Sequence, residues 1–498
     1  MRRRTLLGAA SALPALPALS VLGPLALLLA PRSGHPGEII RFDTTGRPRS
    51  DVVLAQVPVK AVVAEFLDPG DTGVGKSLGF LVWREILTAI SDQAGAGVIL
   101  ARAPGGERLT DLLQTAYHDA ALAIARQQSA AMAVWGAVEA DGAQLLVSSY
   151  LSLLPEASGL QFKLRLVGEP PLPAGLEAEF QRTNFNFPPV ETTRAALFER
   201  RVVTRTSTSL RARAEAAAPV LARIPTNSAL DALDMDGGWF RVRLADGREG
   251  WIEHAQVDLP PHTVEAAGTL LPLAGAPGGA VAQRLRLDGR QRVLDMRYVA
   301  RKGLFYRLDR PGPARWVAAH LVRARFSLPV VHFVAGLYRF QFKRYDDARR
   351  EFAQYVAARE SAADNASLAT AYQFLGASTL LARPTVFETD PAAIDWFSRA
   401  VAATPYDANA YALRALSTLA VKRSAAPALE DLQQALKLDP TDRAAARITG
   451  VLSQQIGRSG GTTLQRMLLD SGDPVLQRRI QETLERYPAA RPMPAASR

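Results

Sequence analysis

From Val330 onward the apolar residues of this chain recur every three or four positions; before it they come mostly in short runs with a period of two. That change of period makes a multidomain α+β protein, with strands concentrated in the first two thirds and helices after them. A length of 498 residues suits about three to four domains of roughly 100–150 residues. The 48% share of hydrophobic residues is enough for each to bury a core. There is no cysteine, which excludes disulfides, thiolate metal sites, a cysteine nucleophile and a lipidated N-terminal cysteine. The net charge of +11 is carried mainly by arginine and reads as spread over all segments. Beyond Arg2–Arg4 no basic run is interleaved with aromatics, so nucleic acid is not an expected partner, whereas anionic envelope polymers or lipid headgroups are weak ones.

Residues 1–30 place three arginines before an apolar stretch from Leu6 to Ala30, broken by Pro14, Pro17 and Pro24. This is the layout of a secretory signal, and Arg3-Arg4-Thr5-Leu6-Leu7 resembles the twin-arginine export signal. The expected compartment is the periplasm. No clean A-x-A cleavage site precedes residue 31, so the segment is either removed or retained as an inner-membrane anchor over residues 6–30, the one expected membrane contact. Residues 31–57 read as a polar, Pro/Gly-rich linker.

Residues 58–168 carry a β-α-β-α-β-β-β pattern, with helices over Ser77–Ser91 and Asp111–Gln127, a hairpin at Asp141-Gly142 and a last strand over Leu160–Val167. Within it, Val62–Ile90 has the spacing of a phosphate-binding loop: Gly70, then Gly75-Lys76-Ser77, between a strand and a helix. The same stretch matches G-x-S-x-G at Gly75–Gly79. A nucleotide-binding switch or NTPase using Gly70–Ser77 is therefore an alternative reading. Against it, Asp68-Pro69 separate the strand from the first glycine, and no later strand ends in a magnesium-binding Asp. A serine nucleophile would need a downstream base, and His118 is the single histidine of this segment. The simpler reading is a glycine turn opening a helix with Ser77 as a capping residue, with no catalytic residue and no cofactor. The six histidines, His35, His118, His254, His262, His320 and His332, show no metal-binding spacing, and no metal is expected. Ala61–Phe66, the first long helix and Ala133–Val138 resemble the N-terminal domain of TolB-type envelope proteins and the related curli-secretion (CsgG-type) fold.

Residues 169–200, with EPPLPAG and FNFPPVE, read as a proline-stiffened linker. Residues 201–258 then give short strands at regular spacing: Leu210-Arg211-Ala212-Arg213, Gly238-Trp239-Phe240-Arg241-Val242 and Asp246-Gly247-Arg248-Glu249-Gly250-Trp251-Ile252. The order resembles a bacterial SH3 domain, which implies binding of cell-wall peptidoglycan or peptides. Trp239 and Trp251 are candidate ligand contacts, Trp251 expected mainly in the barrel core and Trp239 half exposed. Residues 262–325 look like a degenerate second copy: Leu233-Asp234-Met235 recurs as Leu294-Asp295-Met296, Gly238-Trp239-Phe240 as Gly303-Leu304-Phe305, and Trp251-Ile252 as Trp316-Val317.

Over residues 328–457, Gly336, Ala348 and Phe352, then Gly376, Ala393 and Phe397, then Ala428, Leu432 and Ala435 fall at the positions of a helix-turn-helix repeat. The pattern resembles tetratricopeptide repeats, an α-helical solenoid that implies envelope protein partners held on a concave face. Tyr338, Tyr372 and Tyr411 lie on first helices and are candidates for that face or for packing. Residues 458–498 read as one more helix and a disordered tail. The function most consistent with these modules is a non-enzymatic envelope adaptor or scaffold.

Overall fold

The architecture comes from a computed structural model, which describes residues 39–42, 48–49, 57–93, 95–101, 114–154, 163–166, 176–180, 182–266, 270–287, 289–299, 301–359, 365–382, 391–422 and 425–458. The stretch over residues 1–30 read as an export signal, most of residues 31–57 and the helix and tail expected beyond 458 lie outside these residues. The chain divides into Met1–His35 and Pro36–Arg498, and everything below concerns the second unit.

The first sheet contains Ile39–Phe42 (β1), Pro48–Arg49 (β2), Val59–Ala64 (β3), Ala96–Ala101 (β4), Met132–Asp141 (β5), Gln144–Leu153 (β6) and Asn184–Thr192 (β9), in the order β2-β1-β4-β3-β5-β6-β9. Strand β3 lies between β4 and β5, parallel to both, and is buried along its whole length, as a central parallel strand must be. Helix Gly75–Ala89 (α1) packs on the face presented by Ala61 and Val63, and Gln114–Gln127 (α2) on the face presented by Val62 and Ala64. The β5–β6 turn has Gly142 at φ +60°, the left-handed conformation that a two-residue hairpin loop demands.

Three expectations are corrected here. Within the stretch read as a linker over residues 31–57, Ile39–Phe42 and Pro48–Arg49 are strands of the sheet, β1 pairing antiparallel with β4. The strand expected over Leu160–Val167 is Lys163–Leu166 (β7), which pairs with Leu176–Glu179 (β8) in a separate ribbon. The sheet ends instead on β9, inside the segment read as a linker over residues 169–200. Prolines 188 and 189 do not exclude a strand there, because the β6–β9 register jumps from Val147↔Val190 to Ser149↔Phe187. Both prolines fall in that irregularity on an edge strand, where no ladder hydrogen bond is demanded of them. The short helix Arg194–Phe198 (α3), capped by the Thr193 hydroxyl, then leads into the next domain.

Two seven-stranded sheets follow. The first contains Arg200–Thr204 (β10), Thr208–Arg211 (β11), Val220–Ile224 (β12), Ala229–Asp236 (β13), Trp239–Arg243 (β14), Glu249–Glu253 (β15) and Val257–Asp258 (β16). The second contains Thr263–Glu265 (β17), Leu270–Ala274 (β18), Val281–Arg286 (β19), Arg290–Val299 (β20), Gly303–Leu308 (β21), Trp316–Ala318 (β22) and Arg323–Arg325 (β23). Their orders, β12-β11-β15-β14-β13-β10-β16 and β19-β18-β22-β21-β20-β17-β23, correspond strand for strand. Even the irregularities match. The register shifts before Asp234 in one and before Asp295 in the other, and each carboxylate accepts the amide of the following methionine, at 2.8 and 2.7 Å.

The C-terminal region is helical: Pro329–Gln341 (α4), Tyr345–Arg359 (α5), Asn365–Ala382 (α6), Ala392–Ala403 (α7), Ala408–Lys422 (α8), Ala425–Leu438 (α9) and Arg443–Arg458 (α10), each packed on its predecessor. Glycine sets the spacing within pairs. A Cβ at Gly336 would lie 2.8 Å from the Phe352 ring, and one at Gly376 would lie 2.6 Å from Phe397. Helix α4 also packs on α1 and β6, α6 on β9, and α8 and α10 on β8. The helices are thus wrapped around the first domain, and Phe180 stacks on Phe374 with ring centroids 4.2 Å apart.

Candidate functional site

The loop before α1 is shaped around a carboxylate. Asp68 is buried; its Oδ1 accepts the Thr72 amide and hydroxyl, both at 2.8 Å, and its Oδ2 accepts the amides of Val74 and Gly75 at 3.1 and 3.2 Å. These are the N–H groups that a phosphate would need at a helix start. The chain supplies its own anion there. Gly75 is glycine for another reason: a Cβ would lie 2.3 Å from the Phe66 carbonyl oxygen, and at Gly79 one would lie 2.7 Å from Glu65 Cα. Both let α1 approach β3 closely. Gly70 has ordinary space around it. Lys76 is exposed, its stem running across Gly237 of the first barrel. Ser77 is buried and committed: its hydroxyl donates to the Met235 carbonyl at 3.1 Å and accepts the Gly237 amide at 2.9 Å. The phosphate-loop spacing therefore corresponds to an interdomain joint, and Ser77 bonds to the barrel rather than capping its own helix.

The remainder of α1 extends that joint on three sides. Trp83 donates to Val98 O at 3.2 Å under the sheet, and its ring meets His254 edge-on, as Phe80 packs against the same imidazole. His254 Nδ1 in turn donates to the Gly238 carbonyl at 2.9 Å. Arg84 donates to the Val257 carbonyl and lies 3.8 Å from Asp258. Glu85 and Arg200 pair at 2.8 Å with side chains only 1% exposed, and Glu85 also accepts the Ser327 amide and hydroxyl. One carboxylate thus ties together α1, the first barrel and the entry to the helices. At the far end Asp92 pairs with Arg339 and Arg344, which hold its carboxyl below the ordinary range although burial pushes the other way. Sequence reasoning missed this joint. The available signal was Arg84-Glu85 within an apolar helical stripe, without helical i,i+4 partners.

The first barrel presents its own surface. Its core is built by Leu210, Leu230, Met235, Phe240, Val242 and Ile252. Trp251, expected mainly in the core, alternates with the buried Ile252 and so faces outward, half-buried. It lies in register with Arg211 on one side and Arg241 on the other, with Asp234 beyond. Trp239 is also half-buried, two positions along the same face. The barrel thus sets Trp251 in register between Arg211 and Arg241, the Arg211 guanidinium donating to the Ala218 carbonyl at 2.8 Å and Arg241 exposed. In the second barrel the same register reads Ala274, Trp316, Arg307, and Trp316 is buried. The duplicated fold lacks the duplicated platform.

Of the three tyrosines, Tyr338 is not available to a partner. It is fully buried, and its hydroxyl donates to Gly97 O at 2.6 Å, fastening α4 to the first sheet. Tyr372 is buried and stacked on Trp396; Tyr411 is half-buried with Arg414 over its ring. The histidines are scattered. His118 meets Trp135 edge-on, His332 bonds to Glu351 at 2.9 Å, and Arg200, helped by burial, drives the His262 pKa down to about 3. Among the described residues no group of three metal-ligating side chains forms, and no helix is long and apolar enough to cross a membrane.

Compared with known families, residues 206–258 match the bacterial SH3 domain. No curated protein matches the chain.

Proposed function

We propose that this chain is a non-enzymatic adaptor of the cell envelope, in which a TolB-like α/β domain, two SH3-like barrels and tetratricopeptide-like helices are fused into one body. The observation that carries the reading is the outward row Arg211–Trp251–Arg241 on the barrel that matches the bacterial SH3 family. An indole offers a flat apolar face to a sugar ring or peptide, and the exposed Arg241 beside it in register suits a carboxylate. Peptidoglycan carries both chemistries. The pairing of Gly336 with Phe352 and of Gly376 with Phe397 supports the repeat assignment. Because α4, α6, α8 and α10 lie against the chain's own α/β domain, partner proteins meet the array on its remaining aromatic surface, around Trp396, Arg399 and the exposed Tyr406. The arginine-led N-terminal segment supports a periplasmic location.

Sedimentation with purified peptidoglycan tests this. The wild-type chain is expected in the pellet, and Trp251→Ala, kept well below its own melting temperature, is expected to bind about fivefold more weakly, the loss of roughly 1 kcal/mol of aromatic contact. Wild-type protein that stays in the supernatant, or a Trp251→Ala variant that pellets equally well, would defeat the assignment. Nucleotide titration addresses the other reading: magnesium-dependent binding lost in Lys76→Ala would replace the adaptor with a switch.

A further inference from the structure

The two barrels share strand order but not surface chemistry. Residues 200–258 carry nine arginines against eight carboxylates, whereas residues 263–325 carry eleven arginines and one lysine against four. The second barrel therefore holds a net +8 of the chain's +11, and the charge that reads as spread along the sequence is concentrated in one domain.

Within that barrel one hairpin stands out. From Leu270 to Arg286, β18 and β19 contain no acidic residue. Leu270 is 63% exposed and lies directly across from Arg286, and Val281 is 52% exposed. Strand β19 is the terminal strand of its sheet, and apart from the partly buried Leu285 every one of its side chains is exposed. Arg284 and Arg286 have no ion-pair partner among the described residues. The β20–β21 turn meets the hairpin tip: Lys302 Nζ donates to Gly278 O at 2.5 Å, with the exposed Arg301 beside it. Four cations thus lie along a hairpin with an exposed aliphatic side chain at either end, Leu270 at one and Val281 at the other.

Charge alone would suit any polyanion, but a soluble polyanion gains nothing from Leu270 and Val281. Pairing of β19 with a second copy would bring Arg284 and Arg286 against their own kind. A single-stranded nucleic acid would call for exposed aromatics to stack its bases, and the hairpin has none; a duplex, like any soluble polyanion, gains nothing from Leu270 and Val281. An anionic phospholipid bilayer answers both features at once: phosphates at the level of the guanidinium groups, and an acyl boundary for the aliphatic side chains. We propose that the β18–β19 hairpin, with Arg301 and Lys302, docks the second barrel onto the surface of an anionic phospholipid bilayer. This is a contact separate from any anchoring by residues 6–30.

The test is vesicle co-sedimentation of the chain from Pro36 onward, the unit that holds every described element but not the apolar leader. Binding is expected to vesicles containing phosphatidylglycerol and not to phosphatidylcholine alone. Arg284→Ala with Arg286→Ala is expected to weaken it about thirtyfold, two charges at about 1 kcal/mol each. Arg284→Lys with Arg286→Lys should retain it, and Leu270→Ser with Val281→Ser should weaken it severalfold. All these side chains are exposed, so the variants should melt like the wild type. The proposal is overturned if the double alanine variant binds as well as the wild type. It is equally overturned if soluble polyphosphate binds as tightly as vesicles and the serine variant changes nothing, which would mark a polyanion site.

Discussion

Replacing Glu85 by alanine should loosen three domains at once. The carboxylate pairs with Arg200 at 2.8 Å, both side chains 1% exposed, and accepts the Ser327 amide at 3.1 and 3.0 Å. Glu85→Ala leaves the guanidinium buried without its counter-ion, a loss of about 3–5 kcal/mol. The orphaned Ser327 amide adds about 1 kcal/mol or more, though the two penalties overlap. We therefore expect about 4 kcal/mol. If the roughly 360 described residues melt together at about 2 cal/mol/K each, Tm falls by about 6 °C. Differential scanning calorimetry reads the shift, and a single wild-type transition splitting into two would show the barrels releasing from α1. A companion variant, Glu85→Leu with Arg200→Met, removes both charges and should regain most of the loss. A Glu85→Ala protein within about 1 kcal/mol of wild type, melting in one transition, would refute the view that this buried pair locks the domains.

Three further outcomes follow from the geometry. Asp68→Ala frees the amides of Thr72, Val74 and Gly75 and should cost about 1–2 kcal/mol in urea denaturation, whereas Lys76→Ala, on an exposed side chain, should stay within about 0.5 kcal/mol. Gly376→Ala should destabilise by about 1 kcal/mol despite its better helix propensity, because the new methyl would meet the Phe397 ring at 2.6 Å, and a thermal melt reads it. Arg200 and burial lower the His262 pKa from 6.5 to about 3, so between those values the unfolded chain binds a proton that the folded chain does not. Stability should therefore fall as the pH drops from 6.5 towards 3, by about 2 kcal/mol at about pH 5, and His262→Asn should flatten that dependence in denaturant titrations.

What could be read in the sequence was whatever is local. The barrel strands show themselves by alternation, down to Phe240 and Val242 inside and Arg241 and Arg243 outside. The helix pairs show themselves by glycine facing an aromatic residue. The size of Trp251 suggests core, but it alternates with the buried Ile252, and phase decides which side a strand residue faces. In sequence the edge strand Asn184–Thr192 resembles a spacer, because its prolines look prohibitive and only the register irregularity in the folded sheet absorbs them. The joint around α1 was out of reach for a different reason. Its partners lie 115 to 250 residues away, and no periodicity reports which distant surface covers a buried Arg84 or Glu85.

That remoteness also sets a timetable for biosynthesis. Helix α1 leaves the ribosome early, but Arg200, the Val257 and Leu259 carbonyls, Ser327 and Arg339 appear only after some 110 to 250 more residues. Until the start of α4 has emerged, an apolar helix carrying Arg84 and Glu85 has no finished surroundings. The first domain cannot mature as a separate unit during synthesis, and the rate at which the whole body closes is governed by contacts of very long loop length. Whatever holds the nascent chain meanwhile must keep α1 from aggregating until roughly two thirds of the protein exists.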